Sequence, residues 1–155
     1  MPTKRLKDYL DERGVKYVLI SHSRAFTAQE IAASAHVPGR EMAKTVVIKI
    51  NGEMALAVLP ASSRVDLDFL KYVTNSRMVE LAEEKEFKDV FPGCELGAMP
   101  PFGNLYRMRT LVADSLAEEK SIVFNAGSHT ELMRMSFEDF ERAVRPEIIE
   151  MTAYA

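Results

Sequence analysis

The first apolar pattern along the chain is Leu6, Tyr9 and Leu10, spaced i, i+3, i+4, which predicts a short helix ending at Gly14. Val15–Ile20 then alternates as a strand does. Thr27-Ala28-Gln29-Glu30 has the spacing of a capping box, in which the hydroxyl and the carboxylate satisfy each other's backbone donors. It opens a second helix through about Ala35, stopped near Pro38-Gly39. The clearest pattern follows: Thr45–Ile50, then Asn51-Gly52, then Glu53–Leu59. Asn-Gly supplies the positive φ angles of a two-residue turn, so this is a hairpin. Its arms are apolar almost without interruption, which places them as central strands covered on both faces.

Beyond the hairpin, Asp66 caps a helix with Leu67, Leu70 and Val73 on one face. A charged helix around Leu81–Val90 is expected next, closed by Pro92-Gly93. Cys94–Gly103 can be neither helix nor central strand, because its prolines remove donors and fix φ. Leu105–Val112, Ser121–Asn125 and Leu132–Met135 predict strands, the last two joined by a tight turn at Gly127-Ser128-His129. Ser136 caps a final helix that turns Phe137, Phe140 and Val144 inward. Helices and strands are mixed and at least one pairing is antiparallel, so the fold class is mixed α/β.

At 155 residues the chain fits one domain. With 47% hydrophobic and 28% charged residues it has the make-up of a globular protein rather than a disordered one. The apolar runs fall short of the roughly 20 residues that span a bilayer, and no secretory signal is evident at the start. The single cysteine, Cys94, excludes an internal disulfide, and the expected compartment is the reducing cytoplasm. Net charge is −3, yet residues 1–50 hold nine Lys/Arg against five Asp/Glu. That asymmetry allows a basic surface for a polyanion on an otherwise acidic protein. No defensible helix-turn-helix spacing or strong basic stretch points to DNA.

Candidate chemistry is sparse. His22, His36 and His129 lack metal-binding spacing, so no metal or other cofactor is expected, and no nucleophile elbow or Gly-rich phosphate loop is present. Cys94 with His129 could form a nucleophilic pair, or Cys94 could be a packed loop thiol. Lys44, just ahead of the apolar strand, is either a solvated strand-end lysine or a cation projecting into a cleft to bind phosphate. The Gly97–Pro101 loop is either a stiff surface turn or a rigid donor array for a developing oxyanion. His129 is either a solvated loop histidine or a group that orients a substrate carbonyl, ribose or water.

Three elements together resemble the YbaK/prolyl-tRNA synthetase-associated editing domain family. They are Ala43-Lys44-Thr45 leading into the hairpin, the G-x-x-x-P element Gly97-Ala98-Met99-Pro100-Pro101 continuing as Phe102-Gly103, and Phe124-Asn125-Ala126-Gly127-Ser128-His129. The resemblance covers nearly the whole chain and implies a mixed, mainly antiparallel sheet or barrel-like core flanked by helices. It implies a free-standing deacylase that hydrolyses the ester of a mischarged tRNA, bound at its acceptor end, and that could act beside an aminoacyl-tRNA synthetase.

By the same resemblance Lys44 is the essential lysine near the terminal adenosine, Gly97 belongs to the catalytic loop and His129 is the pocket histidine. Phe26, Thr45, Ala98, Met99, Pro100, Pro101, Gly127 and Ser128 would contact the substrate. An aminoacyl ester is already activated, so position and charge stabilisation suffice without a metal or a protein nucleophile. A size-limiting pocket would select the amino acid as a second sieve. A non-catalytic tRNA-binding module of the same fold is the alternative reading.

Overall fold

A computed structural model describes residues 4–21 and 37–151. The capping box at Thr27–Glu30 and the pocket candidate Phe26 lie outside the described residues. Helix α1 (Lys4–Glu12) buries Leu6 and Leu10 and ends where Gly14 takes φ +65°. Strand β1 (Val18–Ser21) is shorter than the alternation predicts. Val15 is still tied to the helix exit, its N–H donating to the Leu10 carbonyl at 3.0 Å.

The hairpin forms as expected and extends further, with β2 (Ala43–Ile50) paired antiparallel to β3 (Glu53–Pro60). Asn51 (φ 51°) and Gly52 (φ 86°) make the turn. The last six residues of β3 are buried, in keeping with a strand covered on both faces. Helix α2 (Leu67–Val73) is capped by Asp66, whose Oδ1 accepts from the Phe69 N–H at 3.0 Å. Leu70 is buried, but Val73 is exposed.

The charged helix expected over Leu81–Val90 shrinks to one turn, α3 (Glu84–Phe87). Leu81 belongs instead to β4 (Val79–Leu81), which pairs with the edge of β2. Asn51 secures that pairing by accepting from the Arg77 and Met78 N–H groups, and Lys49 bridges Glu80 and Glu86. Tertiary pairing overrides helix propensity here. The strand expected from Leu105 likewise begins late: Gly103–Tyr106 is a 3-10 turn and β5 runs Arg109–Ala113. Gly103 lies so close to Thr110 and the Met108 carbonyl that a β-carbon would collide with both, so the chain must fold back there before it can extend.

A short helix α4 (Asp114–Ala117), the strands β6 (Ser121–Ser128) and β7 (Glu131–Ser136), helix α5 (Phe137–Val144) and β8 (Glu147–Ile149) complete the order. The five-stranded sheet has the order β4-β2-β3-β5-β8, with β3, β5 and β8 parallel. The three-stranded sheet, β1-β7-β6, is antiparallel. A single parallel bridge, Met42 to Val123, joins the sheets among the described residues. The outer strands of the larger sheet, β4 and β8, do not pair with each other, so the core is not a closed barrel.

Between the three-stranded sheet, α1 and α5 lies a core in which Phe102, Phe124 and Phe140 are fully buried. Phe140 stands edge-on to Phe102 at 5.5 Å between ring centroids and packs on Phe124 and Phe137. Phe140→Ala is expected to cost about 3–5 kcal/mol, read as a drop in the urea midpoint. A loss below about 1 kcal/mol would mean that this cluster does not anchor α5.

Candidate functional site

Strand β6 makes the site by departing from regular pairing. Asn125 faces Leu132 and Ser128 faces Glu131, so three steps on β6 oppose one on β7 and Ala126-Gly127 bulge out. Gly127, at φ +106°, turns its peptide groups away from β7. Its carbonyl accepts from the Glu95 N–H at 2.8 Å, and its N–H donates to the Ala98 carbonyl at 2.9 Å. The proline-bearing loop is thereby stitched to the strand. The tight turn expected at Gly127-Ser128-His129 is displaced: Gly127 and Ser128 remain in β6, and the two-residue turn is His129-Thr130.

His129 is buried rather than solvated. Its Nε2 lies 2.7 Å from the Leu96 carbonyl oxygen, an acceptor, so the ring donates from Nε2. Its backbone N–H also reaches the Glu95 carboxylate at 3.3 Å. A β-carbon on Gly97 would sit 3.4 Å from His129 Cε1. Gly97 and His129 are therefore neighbours, and the imidazole props the loop from beneath.

The loop's own donors are committed unequally. Ala98 N–H donates to the Glu95 carbonyl at 3.0 Å, whereas the exposed Gly97 donates to the Met99 thioether at 3.3 Å. Sulfur is a weak acceptor, so a carbonyl or oxyanion can displace it. Ala98, Met99, Pro100 and Pro101 are all buried, which corrects the expectation of a loop presenting several exposed N–H groups. Its inward face packs because Met99 belongs to a cluster with Val47, Leu56, Phe87 and Phe91.

Strand alternation divides β2. Thr45 and Val47 turn toward Gly97 and Met99, and together with Phe87 and Leu81 they line a small, mainly apolar cleft of about 230 Å³. Lys44 lies on the other face, with Val46 and opposite Leu59, and is half-buried. Burial, and then the nearby Arg64 guanidinium, push its ammonium below the usual lysine range. No carboxylate pairs with it among the described residues. Lys44 and the Gly97 loop nevertheless border the same stretch of β6. Met42, two residues before Lys44, bridges Val123, and the loop bonds Gly127.

The model of the aminoacyl-tRNA editing domain matches residues 22–143, most of the chain. The chain belongs to the aminoacyl-tRNA editing domain family. Solved structures agree in fold. A candidate trans-editing enzyme for prolyl tRNA synthetase is 18% identical, with TM-score 0.82, over 99% of this chain and 98% of that one. The hypothetical protein APE2540 is 21% identical, with TM-score 0.85, over 97% of this chain and 100% of that one. A candidate signal transduction protein from Marinobacter aquaeolei VT8 is 15% identical, with TM-score 0.74, and this chain matches 30% of its length. No curated protein matches in sequence.

Within this editing domain Cys94 has no sign of an activated nucleophile. Its sulfur lies 3.6 Å from the Tyr106 hydroxyl, and burial pushes the thiol above the usual cysteine range. Asn125 and Arg64 carried no role in the sequence reading. Asn125 had a readable signal, as the one polar residue inside the buried run Ile122–Ala126.

Two outcomes follow from this geometry. Gly97→Ala is expected to destabilise the fold by about 1–2 kcal/mol in chemical denaturation, because φ +84° strains any β-carbon; an unchanged midpoint would contradict the observed conformation. Because the thiolate reacts and the native thiol holds its proton, iodoacetamide at pH 8 is expected to label Cys94 more slowly in the native protein than in urea. Faster native labelling would contradict that assignment.

Proposed function

We propose that this editing domain is a free-standing deacylase that hydrolyses the ester of a mischarged tRNA. The observation that carries the reading is the Gly97 N–H, held at an exposed bend by the His129–Leu96 bond and committed to nothing stronger than a thioether. The ester carbonyl oxygen takes that donor from Met99 as the tetrahedral oxyanion forms. A preset donor of this kind accelerates acyl transfer on the order of 10²–10³-fold.

The aminoacyl side chain enters the cleft between Thr45, Val47 and Met99, whose size suits a small amino acid. Lys44 and Arg64, near enough that the guanidinium lowers the lysine's affinity for a proton, receive a phosphate of the acceptor end. Ala98, Pro100 and Pro101 shape the loop from inside, Gly127 holds it to the sheet, and Ser128 resumes the pairing with β7 behind it, so these act on the substrate through Gly97. His129 is a positioning residue in this scheme. Water attacks the carbonyl carbon, the bond from that carbon to the tRNA 3′ oxygen breaks, and the 3′ oxygen leaves with the proton that the water gives up, passed on by way of the neighbouring ribose hydroxyl. No metal or enzyme nucleophile takes part.

A panel of tRNAs mischarged with small amino acids, incubated with wild type and with Lys44→Ala, tests this. Wild type is expected to release at least one amino acid. Lys44→Ala is expected to lose about tenfold to a hundredfold in kcat/KM, chiefly through KM, as befits a phosphate contact. Binding of the panel with no release by wild type would establish the non-catalytic tRNA-binding alternative instead. Equal rates would remove Lys44 from the site.

A further inference from the structure

Among the described residues, the edge of β6 that faces the larger sheet is occupied at two points and open between them. At one end Val123 N–H donates to the Glu41 carbonyl at 2.9 Å and Met42 bridges Val123. At the other, Gly127 exchanges both its hydrogen bonds with the 95–98 loop. Asn125 sits midway. It lies two residues beyond Val123 on β6, as Lys44 lies two residues beyond Met42 on β2, and the bridge is parallel. The two residues therefore stand abreast, on the face that Met42 and Val123 share, where β2 swings away into its own sheet.

Asn125 is 7% exposed, and its Oδ1 has no hydrogen-bond partner among the described residues. A buried amide oxygen left without a donor costs about 1–3 kcal/mol. A leucine, with the same branching and the same number of heavy atoms, would avoid that cost in the apolar stretch Ile122, Val123, Phe124 and Ala126 around it. Retained abreast of Lys44, such a group is the mark of a ligand that supplies the missing bond. Lys44 and Arg64 exclude an ammonium as that ligand, since like charges would meet. A neutral hydroxyl fits, and because it both donates and accepts it matches the amide whichever way its oxygen and nitrogen are turned.

We infer that Asn125 is a positioning residue that hydrogen-bonds the free hydroxyl beside the esterified oxygen on the terminal ribose, the 2′ group when the ester is on the 3′. This rests on the editing reading above. It adds a ribose-reading residue that the loop and the lysine do not supply.

The test is equilibrium binding of an uncharged acceptor-stem RNA hairpin with a CCA end, compared with the same hairpin ending in 2′-deoxyadenosine. Wild type is expected to prefer the ribose end about fivefold, the worth of one neutral hydrogen bond. Asn125→Leu is expected to bind both hairpins alike and to melt no lower than wild type, and Asn125→Ala provides the same comparison should leucine fail to pack. A merely structural asparagine would give a less stable variant that still prefers ribose. That result overturns the assignment, as do indifference of wild type to the 2′ hydroxyl and failure to bind the hairpin at all. Ribose preference in a protein that releases no amino acid supports Asn125 while removing the deacylase reading.

Discussion

A loop with two successive prolines has few donors of its own, and its carbonyls must find partners elsewhere if the loop is to hold one shape. In this protein β6 provides them. The two-residue bulge at Ala126-Gly127 turns a glycine out of its ladder, and that glycine bonds Glu95 and Ala98. Two residues further, His129 leaves the strand and closes its ring nitrogen on the Leu96 carbonyl. Three bonds from one strand end thus fix the loop, and everything chemical in the cleft follows from where they leave the Gly97 N–H.

The same departure explains why two small sheets serve better here than one barrel. β2 approaches β6 at Met42 and then diverges to join β3 and β4. Among the described residues the divergence leaves a gap along β6 that the loop fills only at its far end. A cation from β2, a donor from the loop and an amide from β6 all border that gap. A closed ladder would bury the three strands' polar edges against one another and leave no room for a substrate.

Much of this architecture is legible in the sequence because it rests on local rules. Asn51-Gly52 dictates its turn, Asp66 and Ser136 cap their helices, and the spacing of Phe137, Phe140 and Val144 announces a buried face. What escapes is decided by distant partners. Leu81 is drawn into a strand by the edge of β2, and the turn moves to His129-Thr130 because Gly127 is needed for the bulge. The site follows the same division. Lys44, Gly97 and His129 stand out by residue type and by family resemblance, and the family itself is shown by the match over residues 22–143. That His129 grips a backbone carbonyl, and that Lys44 and Thr45 face opposite ways, depends on sheet geometry that no local pattern encodes.

The central claim is that the Gly97 N–H is the donor that meets the substrate carbonyl. Amide NMR during titration with a non-hydrolysable aminoacyl-adenosine, in which an amide replaces the ester, tests it directly. The Gly97 resonance is expected to move furthest downfield of the loop amides as a carbonyl oxygen replaces the Met99 sulfur, with the Met99 methyl shifting in step. Saturable binding that leaves the Gly97 amide in place would contradict the account.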